Sequence, residues 1–493
     1  MDFLGDLGVL GESHPGLSKL MATNVETVAE PGVKAGTPPA SADRIPLPRI
    51  LGYGIGDFGF NFYWFSLQLF LAYYYTDVLG LRSEVAGLII FLCLTWDGLI
   101  DPAIGVLANR TRTRWGKYRP YLLLGSVPLA VSFALMFAPT GLQGAALIGY
   151  AFATQVLFRT MYGLVNIPYS ALMATMTRDS MQRNWLAGAR MICAFLGTAV
   201  VSYFTPLLVA YFTSGGRTTG YFGATAVLAA IATVFTIMTF AATREDSAIT
   251  HAQEQPPPVS ELLRMLAKNV PFLQIIAGIG FFSFANILVT SGLVYYVKYY
   301  LDESTAVAGQ AASLMQITIT VMILPWTIAA RYVGKRWAWQ AGLAIAFAGL
   351  IGLFLSDSRE TSVLYGYIVV YAIGSASIGI NFWSIVPDTV EYGEWRTGVR
   401  AEAFVFGFVT LIQKIALGTS SAFLGAYLSW AGYVANQPQA PETAEAIKLM
   451  ITLVAAGGLL VSALVMHFYR LDASTHARLV QEIAARKRGA ESV

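Results

Sequence analysis

The chain is short of nearly everything a soluble enzyme relies on. Only 12% of its 493 residues are charged, about half the share of a typical globular protein. Its two cysteines, Cys93 and Cys193, fall inside apolar runs with no CxxC spacing. That excludes a disulfide framework and a thiolate metal centre, and leaves both as small hydrophobes. The four histidines, His14, His251, His467 and His476, lie in the tails, a loop and the end of an apolar run, so none serves as a mid-membrane proton relay. No HExxH, Walker A loop or GxSxG within an apolar run is present, which argues against an enzyme. No metal, cofactor or nucleic-acid partner is expected. The first 49 residues hold no apolar segment long enough for a signal peptide. Their Gly, Pro, Ala and Ser content predicts a disordered tail in which Met21 is a second candidate start.

What the chain has instead is apolar length. Hydrophobic residues make up 56% of it, and twelve runs, centred near residues 64, 96, 129, 158, 198, 232, 285, 318, 346, 374, 415 and 459, are long enough to cross a bilayer. The one long polar interior segment, "TREDSAITHAQEQPPPVSELLRMLAKN", separates six runs from six, and its three consecutive prolines break any continuous helix. The expectation is an all-α membrane protein of two pseudo-symmetric six-helix bundles. Its parts are a tail over 1–49, a bundle over 50–243, a central loop over 244–270, a second bundle over 271–470 and a tail over 471–493.

Orientation follows Lys and Arg in short loops. The loop after run two, "NRTRTRWGKYRP", holds Arg110, Arg112, Arg114, Lys117 and Arg119, whereas "APTGLQGA" after run three holds no charge. Alternate loops and both termini are therefore expected in the cytoplasm, with the chain in the cell (inner) membrane, a monomer surrounded by lipid.

Ionisable residues inside spans are costly and are usually kept for function. Here they are Asp57 in span one, Asp97 and Asp101 in span two, Arg159 in span four, Arg190 in span five and Lys414 in span eleven. Helical spacing puts Asp97 and Asp101 on one face, pairs Asp57 with Asn61 and Thr410 with Lys414, and lines up Arg159, Gly163 and Asn166. Two carboxylates sharing one face in a medium of low dielectric invite a proton or small cation between them.

"GYGIGDFGFNF", "YYYTDVLGL", "WDGLIDPAIG", "RTRTRWGKYRP" and "PDTVEYGEWRTGVRAEAF", in that order from about residue 50 to about 470, resemble the glycoside-pentoside-hexuronide:cation symporters of the major facilitator superfamily. The resemblance implies sugar uptake by cation symport through alternating access. Sodium-using members carry Asp-x-x-Asn-Asp-Pro in span two and a hydroxyl from span four. Asp97 and Asp101 match the carboxylates, but Ile100 replaces the amide and Gly163 the hydroxyl. A hard cation needs several oxygens to replace its water, whereas a proton needs one carboxylate, so H⁺ is expected rather than Na⁺. Asp57 is grouped with these acids.

Sugar contacts are expected from Asn61 and Asn166, which stand where relatives carry acids, with Arg190, Lys414 and Thr410 beside them and Tyr162 and Trp383 flanking the ring. Arg159 is an addition to the family pattern. It either clamps a substrate carboxylate or pairs with Asp57 or the span-two acids. Arg114, Lys117 and Arg119 are expected to face Asp388, Glu391, Glu394, Arg400 and Glu402 as a cytoplasmic gate. Na⁺-coupled sugar symport and a lipid or lysolipid carrier of the same superfamily are the competing functions.

Overall fold

The computed structural model describes residues 45–177, 180–245, 259–399, 402–471 and 473–491. The amino-terminal tail, most of the central loop and Arg400 lie outside them. Fifteen α-helices follow one another, with no strand among the described residues. In the first half these are α1 (Leu47–Tyr73), α2 (Ser83–Arg110), α3 (Arg119–Met136), α4 (Gly144–Met176), α5 (Ser180–Phe212) and α6 (Arg217–Ala242). A short α7 (Val259–Lys268) forms within the segment expected as loop. The second half holds α8 (Val270–Tyr295), α9 (Thr305–Val333), α10 (Lys335–Leu355), α11 (Thr361–Thr397) and α12 (Glu402–Trp430). The last span is α13 (Pro441–Leu449) and α14 (Ala455–His467), joined by a π turn, and α15 (Ala473–Glu491) follows.

Ten helical stretches among the described residues are long and apolar enough to cross a membrane. Helices α1 and α4, with 27 and 33 residues, match them in length but are less apolar, because they carry Asp57, Asn61 and Gln68, and Gln155, Arg159 and Asn166. With these two the spans number twelve.

Packing groups α1 with α5 and α6, and α3 with α4 and α6; in the second half α10 packs on α11 and α14, and α8 on α12 and α14. The halves meet where α2 packs on α12, α5 on α9 and α1 on α8. Bare backbone makes the first two seams possible. A Cβ at Gly87 would lie 2.5 Å from the Ser421 carbonyl, one at Gly425 2.2 Å from that of Ser83, and one at Gly309 2.4 Å from that of Ser202. Helices approach this closely in lipid only where a small residue permits it. Gly425→Val should therefore splay α2 from α12, at a cost of about 1–3 kcal/mol for overpacking. A lowered melting temperature in detergent checks this, and an unchanged one contradicts the seam.

Candidate functional site

The α2–α12 seam positions the charges. Gly98 lets α12 come close, since a Cβ there would meet the Leu411 side chain at 2.6 Å, and Lys414 on the same face of α12 reaches both α2 acids. Its ammonium pairs with Asp101 and lies 3.0 Å from Asp97 Oδ2. From α4, Arg159 Nη1 stands 3.7 Å from the same Asp97 oxygen. Asp97 is 0% exposed and Arg159 4%. The four residues form a cluster of two acids and two bases drawn from both halves, with Asp97 and Arg159 buried and Asp101 and Lys414 half-buried. Ion pairing balances the charge, but hydrogen bonding is incomplete: both Asp97 oxygens, Asp101 Oδ1, and Arg159 Nε and Nη1 are buried with no hydrogen-bond partner. Buried polar atoms are nearly always satisfied, so this concentration singles out the cluster as the candidate site.

Gly163 borders it. A Cβ there would lie 3.3 Å from Asp101 Oδ1 and 3.0 Å from the flexible end of Ile104. The Arg159 guanidinium lies 5.1 Å from the centre of the Trp64 ring, over its face. A mainly apolar cavity between α1, α2, α4, α8 and α12 is lined by leucine and isoleucine side chains, with Trp64, Gln68, Arg159, Ser291 and Ser421 among them.

Asp57 has a different partner. Arg190 of α5 binds both its oxygens, through Nε to Oδ2 and from Nη2 to Oδ1 at 3.4 Å, and also reaches Ser170 Oγ at 3.4 Å. The guanidinium lies over the Tyr169 ring at 4.8 Å. Asn61 donates to the Asp57 carbonyl at 2.8 Å, and Asn166 is half-buried on α4. Tyr162 packs against Trp64, with ring centres 5.8 Å apart, and edge-on against Phe60. Trp383 is 45% exposed and stacks parallel to Phe406. Thr410 donates within α12, to the Phe406 carbonyl.

Beyond α2 the chain turns through 111–118, where Glu245 accepts the backbone N–H groups of Lys117, Tyr118 and Arg119 at 2.7–2.9 Å and caps α3. Burial and nearby Arg112 hold the Lys117 ammonium below the usual lysine range. Arg114 lies over Trp115 and Arg119 over Phe240. Asp388 pairs with Lys335 at 2.7 Å and Glu391 with His476 of α15. Trp395 donates to Glu482, also on α15, at 2.7 Å. Glu394 is buried at the end of α11 and Glu402 is exposed at the start of α12.

A second charged site, at the opposite end of α2, escaped the sequence reading. Helices α1 and α8 both end in π turns, Tyr74–Val78 and Tyr296–Tyr300. Between them Asp77, 3% exposed, receives Lys298 Nζ at 2.7 Å and the hydroxyls of Tyr299 and Tyr433. Lys298 also donates to the Tyr73 hydroxyl at 2.8 Å, and Asn436 Nδ2 to the Asp77 carbonyl at 2.6 Å. The signal was a repeat. "YYYTDVLGLRSEVAG" (73–87) aligns without gaps on "YYVKYYLDESTAVAG" (295–309), matching Leu79 to Leu301 and Val85-Ala86-Gly87 to Val307-Ala308-Gly309. Gly80 and Asp302, both at positive φ, occupy the same place in it. Gly87 lies in the α2–α12 seam and Gly309 in the α5–α9 seam.

A multi-pass bundle of this kind, with charge buried between its two halves, is a membrane transporter rather than an enzyme. The family described as MFS/sugar transport protein matches residues 52–473, and the chain belongs to it. The resemblance to glycoside-pentoside-hexuronide:cation symporters holds in its relatives. The chain is 30% identical over 444 residues to the isoprimeverose transporter of Lactiplantibacillus pentosus, covering 88% of this chain and 92% of that protein. It is 29% identical over 442 residues to the glucuronide carrier protein homolog of Escherichia coli (strain K12), covering 89% and 96%. Among solved structures, a bacterial homolog to human lysosomal transporter Spinster, in an inward-facing and unoccupied conformation, matches 89% of this chain and 97% of that one with a TM-score of 0.63. At 14% identity that likeness carries the fold alone.

Proposed function

We propose that this transporter moves a sugar or glycoside together with a proton. The observation that carries the reading is the Asp97–Asp101–Lys414–Arg159 cluster, drawn from both halves, ion-paired, and left with carboxylate oxygens that lack hydrogen-bond partners. Lys414 already stands where a metal cation would have to sit between the two acids. Na⁺ would have to displace it and find further oxygens, which Ile100 and Gly163 do not offer. A proton adds to one carboxylate without displacing anything. Sugar hydroxyls have Asn61, Asn166 and Ser170 to bind, with the Asp57–Arg190 pair and Tyr162 beside them; an amide both donates and accepts. The charge of loop 111–118 favours the orientation that puts it in the cytoplasm, and the Asp77 site then closes the extracellular side. Alternating access consists of breaking that closure while the opposite end forms one, using Arg114, Lys117, Arg119 and the acids of 388–402.

The reading is tested with purified protein in liposomes, by uptake of a panel of radiolabelled sugars and glycosides under an imposed pH gradient or an imposed Na⁺ gradient. Accumulation driven by pH without Na⁺ is expected; strict dependence on Na⁺ would sink proton coupling. A gain-of-function variant probes the same chemistry. Gly163→Ser places a hydroxyl beside Asp101 Oδ1, with Ile104 yielding, and Ile100→Asn restores the amide. The double variant is expected to show Na⁺-stimulated uptake, by about tenfold or more if the added ligands supply about 1.4 kcal/mol. No stimulation, also when Lys414→Ala is added to clear the ammonium from between the acids, would mean that these positions do not border the cation site.

A further inference from the structure

We infer that α15 is a pH-sensitive clasp on the cytoplasmic gate: His476 holds Glu391, and that end of the bundle closes only when Glu391 leaves the imidazole for Arg114, Lys117 and Arg119. The inference rests on the alternating-access reading above and deepens its cytoplasmic gate, whatever sugar or cation is carried.

One face of α15 is fitted to the end of α11. His476, Leu479, Glu482 and Arg486 recur every three or four residues and share that face. Leu479 is buried, whereas Arg478, Val480 and Gln481 beside it are exposed. His476 Nε2 meets a Glu391 carboxylate oxygen and stands 3.9 Å from Asp388 Oδ1. One turn further along α11, Trp395 donates to Glu482 at 2.7 Å, and its carbonyl accepts Arg486 Nη1 at 2.8 Å. Helix α7 grips the same end, with Asn269 donating to the Thr389 carbonyl at 2.7 Å.

The acids that the gate needs are thereby occupied within the second half. Asp388 pairs with Lys335 and Glu391 with His476, while Arg114 and Arg119 lie over Trp115 and Phe240. Among the described residues neither acid meets a base of the first half. Polar contacts that join the halves are found at the Asp77 end and in the central cluster. This is the form with its cytoplasmic end unlocked, and α15 is engaged in it.

An imidazole ordinarily changes charge between about pH 5 and 8. The groups facing His476 are Glu391 and Asp388 of α11, Lys335 of α10, which pairs with Asp388, and Tyr469 after α14, which feels the Asp388 charge. On α15 itself, Glu482 is held by Trp395, with Arg478 at 3.8 Å. A neutral ring offers Glu391 one ordinary hydrogen bond; a charged ring offers a charge-assisted one, about twice as strong. Acid on the cytoplasmic side therefore favours the clasped, open form, and loss of the proton frees Glu391 to cross to the first half. Uptake that carries protons inward is then slowed by its own acidification.

The test uses the full-length protein in liposomes, with Cys93→Ala and Cys193→Ala. Spin labels on Ala241→Cys, near the end of α6, and Tyr332→Cys, near the end of α9, both exposed positions, report the width of the cytoplasmic opening. From about pH 8 to about pH 6, the ratio of wide to narrow populations is expected to rise about threefold or more, the size of effect of a part-exposed ion pair. His476→Gln, which keeps a hydrogen bond but cannot charge, should stay narrow-biased at both values, and His476→Lys, charged throughout, should stay wide at both. Arg486→Ala loosens the clasp without touching the titrating group and should lower the ratio in acid. Melting temperatures confirm the folding of each variant. Proton binding elsewhere in the chain shifts all variants alike, so the difference between the unaltered protein and His476→Gln is the deciding quantity. An equal pH response in these two overturns the sensor, and an opening indifferent to all three substitutions overturns the clasp. A single width under every condition, in protein that still transports sugar, overturns the alternating-access gate together with the inference.

Discussion

Asp97→Asn is expected to abolish accumulation while leaving exchange of substrate across the membrane in place. The acid lies between Lys414 and Arg159 and is fully buried. Its replacement leaves two bases facing Asp101 alone and removes the acid proposed to carry the proton. A symporter moving one proton per sugar concentrates its substrate about tenfold per unit of pH gradient; without coupling that ratio falls to unity. Counterflow, in which unlabelled substrate inside draws labelled substrate in, needs no net proton movement and should persist. Leaving a buried charge uncompensated costs about 3–5 kcal/mol, so the variant should also melt lower. Asp101→Asn should behave similarly, because Lys414 is shared between the two acids. Proton-driven accumulation surviving both changes would remove the cluster from the coupling mechanism.

The second large effect is expected at the other end of the bundle. Asp77→Asn takes the anion from a network that ties the end of α1 to the end of α8 and to the loop after α12, through Lys298, Tyr299, Tyr433 and Asn436. Asp77 is buried, so losing its charge costs the charge-assisted hydrogen bond to half-buried Lys298, which keeps the Tyr73 hydroxyl, at about 1.5–3 kcal/mol. A loss of that size shifts the balance between closed and open forms by about tenfold or more. A cysteine replacing Gln68, which lines the cavity behind the network, in a protein lacking Cys93 and Cys193, reports it. A membrane-impermeant maleimide added from the Asp77 side should label the Asp77→Asn protein at least about tenfold faster. Exchanging the two charges, Asp77→Lys with Lys298→Asp, should slow labelling again. Unchanged labelling in the single variant would mean that the network does not close this side.

Composition made the fold legible. Low charge and twelve long apolar runs imply a helical bundle, and the centre of each run lies inside a helix of the structure. Periodicity put Asp97 and Asp101 on one face, and their partners were among the few ionisable residues inside spans. What periodicity within one helix cannot assign is pairing between helices. That Lys414 serves both α2 acids while Arg190 takes Asp57 depends on which glycines let α2 approach α12 and α1 approach α5. Trp383, read as flanking the sugar, stacks on Phe406 instead of joining the cluster around Trp64. The Asp77 network was hidden for another reason. Lys298 and Asp77 lie at helix ends, where charge is inexpensive and signals little. Only the repeat between 73–87 and 295–309 showed that the two ends are equivalent.

The central claim, that the α2 acids and their basic partners form a proton-coupled sugar site, is tested most directly by recording external pH when a transported sugar is added to sealed, Na⁺-free liposomes. The account predicts immediate alkalinisation with the unaltered protein and none with Asp97→Asn. Sugar entry without a pH change, or with one that appears only after Na⁺ is supplied, would contradict it.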